Sequence, residues 1–289
     1  AYGAALGLTL EQLTVGLPPQ ILNVIISGST STHAPFSFDT VDGSGLQIRT
    51  VPVGFADTIS IVFSENVAVS ANNLIVVGLT TANVPQLAEF IYDSLTYTAT
   101  WRFEGWALGD NYLLHLSDSI TDADGNFLDG EWTNPASITT TNSLVSEFPS
   151  GDGISGGAFS FVMTLLPGDA NLDGIVNSSD SMIWTQNAYR GQGTKLFTQG
   201  DFDGDGSVTT SDVYLLYQTF GTDLRTTSIL SDLDSDGDVD VVDLAIIELN
   251  YGMTNADWAD GDLNDDNIVN DLDLDLAFAQ FGLWLNVVA

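Results

Sequence analysis

The sequence predicts a multidomain β + α protein, in which an N-terminal antiparallel β-sandwich precedes an all-α region of repeated loop–helix units. Three observations predict this division. The first half contains short segments of alternating apolar and polar residues separated by turn residues. In the second half, one motif recurs four times at intervals of 32, 31 and 30 residues, and each copy runs into a helical pattern. The acidic residues are concentrated in the same half.

Composition restricts the function before any motif is considered. The 289 residues include 39 Asp and Glu but 5 Lys and Arg, so the formal net charge is −34. Such a chain is not expected to follow nucleic-acid phosphates or to dock on anionic membranes. The lack of cysteine and the presence of only 2 histidines exclude a disulfide framework, a thiolate metal site and a His-rich zinc site. No apolar run reaches the roughly 18 residues of a membrane span, so no membrane insertion is expected.

Three segments of the first half alternate with period two, namely 58–64, 95–103 and 112–116. Short alternating strands at this spacing predict an antiparallel sandwich. The segments 63–67 (FSENV) and 120–130 (ITDADGNFLDG), together with 18–24, resemble a bacterial Ig-like domain. The resemblance covers residues 18–145 and implies an Ig-like β-sandwich, a kind of domain that serves as a spacer or adhesive module.

The acidic residues of the second half predict a bound cation. Residues 165–289 contain 23 of the 39 acidic residues, and only Arg190, Lys195 and Arg225 offset them. Like charges at this density repel one another and disorder a chain unless something neutralises them. Hydrophobic residues nevertheless interleave regularly with the acids, which is unlike a disordered acidic tail.

The repeated motif is a twelve-residue loop, found at 169–180, 201–212, 232–243 and 262–273. Oxygen-bearing side chains stand at positions 1, 3, 5, 9 and 12, glycine or Asn267 stands at the sharp turn of position 6, and position 7 would supply a backbone carbonyl. This spacing suits Ca²⁺, which takes six to eight oxygen ligands at about 2.3–2.6 Å. About four calcium sites are predicted. Their ligands are Asp169, Asn171, Asp173, Ile175, Asn177 and Asp180; Asp201, Asp203, Asp205, Ser207, Thr209 and Asp212; Asp232, Asp234, Asp236, Asp238, Asp240 and Asp243; and Asp262, Asn264, Asp266, Ile268, Asn270 and Asp273.

The loops differ in charge. Their ligand positions carry three, four, five and three carboxylates in chain order, so loops two and three should bind calcium more tightly than loops one and four. Acidic exposed turns without a metal are the competing interpretation, and Mg²⁺ suits these loops less well because it demands octahedral geometry. The valine at position 8 of every loop is expected to pair with its counterpart in a neighbouring loop.

A helical pattern follows each loop, and an aromatic residue and a glycine end three of the four helices. No helix is predicted before any loop. Paired loop-then-helix units of this kind resemble dockerin type I modules, most closely over 168–221 and with more divergence over 231–282. The resemblance implies calcium-dependent folding and binding to a cohesin partner through loop positions 10 and 11. Those residues are Ser178, Ser179, Thr210 and Ser211 in the first pair. The second pair departs from the pattern, and its Val241 and Val242 are expected to pack against the first pair or against another chain.

The predicted organisation is an N-terminal arm at 1–17, an Ig-like sandwich at 18–145, a linker at 146–166, and dockerin-like pairs at 167–224 and 225–289. The arm could form a strand or a short amphipathic helix, and 159–163 could return as a strand. An Ig-like domain followed by dockerin repeats is similar to the end of secreted planctomycete-type surface proteins, which implies an extracellular or cell-surface location. The chain's start lacks a leader's basic residues, so a leader is expected to have been removed or the chain to be a fragment.

Two functions remain. In the first, the chain is a calcium-rigidified subunit of a surface or filamentous assembly; in the second, it is an adaptor that binds a cohesin partner. No enzymatic role is expected, because His115 lies in a strand pattern, His33 has no partner nearby in sequence, and no catalytic motif is present. A glycosidase-like pair among Glu65, Glu89 and Glu104 is the weaker alternative. The oxygen-rich turn at 122–129 could be a hydrogen-bonded turn or a fifth calcium site.

Overall fold

The computed structural model describes residues 16–38, 50–81, 83–130, 148–151, 153–190, 193–224, 231–233, 239–264 and 267–280. Their strands are β1 (Ile21–Ser27), β2 (Phe36–Ser37), β3 (Thr58–Phe63), β4 (Leu74–Gly78), β5 (Gln86–Asp93), β6 (Thr98–Glu104), β7 (Asp110–Leu116) and β8 (Phe159–Leu165). Their α-helices are α1 (Ser178–Asn187), α2 (Thr210–Thr219), α3 (Val241–Asn250) and α4 (Asp271–Gln280). The predicted fold class is confirmed, since antiparallel β-sheets precede a helical region. Most of the predicted N-terminal arm, 1–15, lies outside the described residues.

The strands form two antiparallel sheets. One has five strands in the order β2-β1-β3-β6-β5, and the other has three in the order β4-β7-β8. The alternation seen in the sequence explains why they pair, because every second residue of β3 and of β6 is buried. Inward side chains of both sheets form one apolar core around Trp101, Ile61 and Leu114. We refer to this two-sheet unit as the β domain.

Strand β7 is buried on both of its faces. All seven of its residues are buried, although successive side chains of a strand point to opposite sides of a sheet. Tyr112 and Leu114 contribute to the core between the two sheets, whereas Leu113 contacts a second apolar cluster. That cluster includes Ile247 of α3 and Leu276 of α4. The three-stranded sheet is therefore the middle layer between the five-stranded sheet and the second loop–helix pair.

Segment 146–166, predicted as a linker with a possible return strand, contains β8. This strand pairs with β7 over all seven residues, from Asp110 opposite Leu165 to Leu116 opposite Phe159. The return strand thus exists and completes the smaller sheet, because it pairs with the edge of β7 that β4 leaves open. The chain then enters the first pair directly, where Leu166 joins the apolar cluster of that pair. The division of the chain into domains stays a prediction.

The helices begin where the loops end because loop residues cap them. Asn177, Thr209 and Asp240, at loop position 9, are the N-cap residues of α1, α2 and α3. In each case the position-12 aspartate supplies the reciprocal capping-box contact, which satisfies otherwise unpaired backbone N–H groups. Short 3₁₀ turns at Phe197–Gln199 and Trp258–Asp260 precede loops two and four, where the sequence predicted no helix.

Candidate calcium loops

Each loop is closed by its position-12 aspartate, whose two oxygens accept hydrogen bonds from opposite ends of the loop. In loop two, Asp212 Oδ1 accepts from the backbone N–H of Phe202 at 2.7 Å and of Asp203 at 3.2 Å, and Oδ2 accepts from Thr209 N–H at 2.7 Å. Asp180, Asp243 and Asp273 repeat this pattern in the other three loops. All four carboxylates are 0% exposed. The described residues of all four loops therefore share this closure by the position-12 aspartate.

The position-1 aspartates are held just as consistently. Gly174 N–H donates to Asp169 Oδ2 at 2.9 Å, Gly206 N–H donates to Asp201 Oδ2 at 2.9 Å, and Asn267 N–H donates to Asp262 Oδ2 at 2.7 Å. The donor is the position-6 residue in each of these three loops, and Asn267 adopts the positive φ of 67° expected of a glycine substitute. Position 6 thus turns the chain and fixes one oxygen of the first aspartate.

Loop two brings three carboxylates to a common point. Oxygens of Asp201, Asp203 and Asp205 lie within 4.8 Å of one another. Asp201 is 0% exposed, and its buried Oδ1 atom has no hydrogen-bond partner among the described residues. A buried carboxylate oxygen without a donor is costly, so this atom fits the role of a ligand to a hard cation. The residues of loop two therefore fit calcium.

The electrostatics of the loops favour neutralisation. Burial, together with repulsion from the neighbouring carboxylates of Asp212, Asp205 and Asp201, raises the pKa of Asp203 to about 6. Burial also raises the pKa values of Asp169, Asp212 and Asp273 above the usual range. A divalent cation reverses this effect, because the ionised carboxylates then gain a counter-charge.

The β domain contributes two further donors that the sequence did not reveal. His33 Nε2 lies 3.1 Å from Asp201 Oδ2, and Thr50 Oγ1 donates to Asp169 Oδ2 at 2.5 Å. These pairs are 168 and 119 residues apart in the chain. No local pattern marks contacts at such separations, and the sequence around His33 indicates no partner for it.

The position-8 valines are buried, but the predicted short extended pairing between two loops is wrong for the described residues, where these valines pair with other segments. Val176 N–H donates to Thr222 O at 3.0 Å, and Val269 N–H donates to Met253 O at 3.1 Å. Tyr189 N–H likewise donates to Val208 O at 3.0 Å. The partner is in every case the segment that follows the helix of the other repeat. That segment supplies free backbone groups because its helix has just ended.

The described residues include every predicted ligand of loops one and two. In loops three and four, Asp234, Asp236, Asp238 and Asp266 lie outside the described residues. The predicted partner-contacting residues Ser178, Ser179, Thr210 and Ser211 are all exposed at the starts of α1 and α2. Val241 and Val242 are also exposed, at 65% and 47%, so they do not pack against the first pair.

The oxygen-rich turn at 122–129 is held by its own hydrogen bonds. Asp122 Oδ1 accepts from the backbone N–H of Asp124 at 2.9 Å and of Asn126 at 2.8 Å, while Oδ2 accepts from Asn126 Nδ2 at 2.7 Å. Asp129 instead accepts from Gln20 Nε2 at 2.9 Å. This arrangement is that of a hydrogen-bonded Asx turn.

Comparison with known families supports the assignment of the first pair. Residues 167–221 match the family described as Dockerin type I domain. No curated protein and no solved structure matched the chain.

The match covers residues 167–221, which are less than half of the chain. Dockerin domains bind Ca²⁺, and a dockerin domain implies calcium-dependent binding to a cohesin partner. Proteins that contain one are typically extracellular. None of the helices within the described residues has both the length and the apolar character that crossing a membrane requires.

Proposed function

We propose that the four loops are calcium sites and that the 24 loop residues predicted above are their ligands. The observation that carries this proposal is the buried Oδ1 atom of Asp201, which has no hydrogen-bond partner in the part of the chain that the structure describes and belongs to a cluster of three carboxylates. The shared closure of the loops by their position-12 aspartates extends the proposal from loop two to the other three. Calcium supplies the positive charge that these buried acids lack.

We further propose that the first pair binds a cohesin-type protein and thereby anchors the chain, or a longer protein that contains it, to a partner outside the cell. The dockerin type I match favours this function, the alternative interpretation of the sequence, over the surface or filament assembly that was its main interpretation. Thr210 and Ser211 border a shallow groove with Phe55 and Tyr214. These residues are exposed and belong to two domains, which supports a docking surface on this side. The chain has no catalytic role in this proposal.

The test is a binding measurement between the full chain and a panel of cohesins, immobilised and probed in calcium and in excess EDTA. Binding in calcium and its loss in EDTA are expected. The double substitution of Thr210 and Ser211 by arginine should abolish binding on the α2 side, whereas Ser94→Arg, in the exposed turn between β5 and β6, should leave it unchanged. Equal binding in calcium and EDTA would contradict the proposal.

An assembly role is the second candidate function, and the exposure of apolar residues on the second pair favours it. Val241 and Val242 are exposed at the start of α3, and Leu249 is 85% exposed on the same helix. Calcium-dependent polymers in electron micrographs that disappear on chelation would support this candidate. A chain that sediments as a monomer in millimolar calcium would refute it.

A further inference from the structure

The position-1 aspartates of loops one and two receive equivalent contacts from outside the loops. In each, Oδ2 accepts one hydrogen bond from the position-6 glycine of its own loop and a second from a side chain of the β domain. Thr50 is the outside donor to Asp169, and His33 is the outside donor to Asp201. Thr50 is 0% exposed, and the side chain of His33 is 3% exposed. These are buried, directional contacts between two parts of the chain.

The hydrogen bonds of His33 define its role. Gly54 N–H donates to His33 Nδ1 at 3.0 Å, so Nδ1 is the acceptor of the neutral ring and Nε2 carries the hydrogen. Nε2 therefore donates to Asp201 Oδ2. With Oδ2 engaged by two donors, the carboxylate is oriented so that Oδ1 is left for another ligand. An outer partner that orients a metal-ligating group in this way tunes metal affinity.

The backbone around His33 closely contacts loop two. Thr32 N–H donates to Gly204 O at 2.7 Å. Gly54 lies so close to Gly204 that a Cβ added at Gly54 would be 2.4 Å from Gly204 N. The contact is thus formed by two segments of the β domain and the first half of a calcium loop.

We propose that the β domain completes the outer coordination shell of loops one and two, with Thr50 and His33 as positioning residues, so that calcium binding and docking of the β domain are coupled. This inference rests on the calcium sites proposed above. Coupling between two equilibria is reciprocal. Loss of a donor must weaken calcium binding at its loop, and calcium must in turn protect the contact between the domains.

The experiment is a calcium titration of the full chain in chelator-buffered Ca²⁺, followed by the backbone amide signals of Gly174 and Gly206. These glycines report loops one and two separately. Thr50→Val should weaken calcium binding about tenfold at Gly174 and leave Gly206 unchanged, and His33→Asn should do the reverse. Each variant is the control for the other, which separates a lost donor from general destabilisation.

A pair of substitutions at His33 tests the donor itself. Asn can accept from Gly54 N–H but does not reach Asp201, whereas the longer His33→Gln places an amide N–H₂ near the position of Nε2. Calcium affinity at Gly206 should therefore be low in His33→Asn and restored in His33→Gln. Equal weakening in both would show that ring packing, not the hydrogen bond, matters, and would overturn the assignment.

The reciprocal effect is measured by hydrogen exchange of the Thr32 and Gly54 amides, which should be protected more strongly in calcium than in EDTA. If the unaltered chain binds calcium, yet both variants bind it equally well and these amides exchange equally in the two conditions, the coupling is refuted while the calcium sites stand. If the unaltered chain binds no calcium, the proposed function itself fails.

Discussion

Removing one charge from loop two should have opposite effects on stability with and without calcium. The perturbation is Asp203→Asn, which keeps the shape of the side chain and removes a carboxylate from the cluster with Asp201 and Asp205. At 4.8 Å, the limit within which these oxygens lie, two unit charges repel by about 0.9 kcal/mol in bulk water and by about 3.5 kcal/mol at an effective dielectric constant of about 20. The substitution removes two such pairs, so it relieves roughly 2 to 7 kcal/mol when no cation is bound.

The raised pKa of Asp203 agrees with the direction of this effect, since burial and neighbouring acids disfavour its charged form. In calcium the same carboxylate is a ligand, and its loss weakens binding and the stabilisation that binding provides. In EDTA the variant should therefore unfold at a higher temperature than the unaltered chain. In millimolar calcium it should unfold at a lower temperature.

The assay is thermal unfolding followed by circular dichroism in the helix band, with the near-ultraviolet signal as a reference for the β domain, where Trp101 is fully buried. Asp124→Asn, which removes a charge from an exposed residue of the β domain, is the matched control and should show no reversal between the two conditions. A melting temperature of Asp203→Asn that falls equally in EDTA and in calcium would refute the electrostatic reasoning.

Three further outcomes are expected. Burial lowers the pKa of His115 to about 4, so between pH 6.5 and 4 the unfolded chain binds a proton that the folded chain does not. As the pH is lowered through that window, the free energy of unfolding measured by urea titration should fall by on the order of 3 kcal/mol. The fall should be smaller in His115→Gln. Gly168→Ala should lower the free energy of unfolding by about 1–3 kcal/mol, because an added Cβ would lie 2.8 Å from Thr219 Oγ1. Gly153→Ala, which has a similar positive φ but open space around it, should lower the free energy of unfolding less. Equal losses in the two variants would point to backbone strain alone. Ile247→Ala should cost roughly 2–5 kcal/mol in calorimetry and the exposed Leu249→Ala under about 0.5 kcal/mol, and similar values would contradict the buried second core.

The loops were predictable because their information is local. Ligand spacing, the position-6 turn and the start of the following helix all lie within twelve residues, and the structure of loop one shows the same residues in one closed loop. The strands were predictable for a similar reason, since period-two alternation in β3 and β6 directly reflects one buried face.

Contacts between distant segments were not predictable in this way. The burial of β7 on both faces depends on α3 and α4, which follow it by more than a hundred residues. The sequence therefore predicted a two-layer sandwich beside separate repeats. The donors His33 and Thr50 were missed because a single histidine or threonine in an irregular segment carries no periodicity that identifies its partner.

The double burial of β7 has a practical consequence for protein engineering. A gene cut after residue 224 would remove α3 and α4, and with them the cover over Leu113, Val77 and Val162. The shortened product would expose a contiguous apolar surface on the three-stranded sheet and would aggregate on purification. Residues 167–221 alone would lack His33 and Thr50, which donate hydrogen bonds to the position-1 aspartates of loops one and two. A fragment intended for fusion to another protein should therefore extend from β1 to α4.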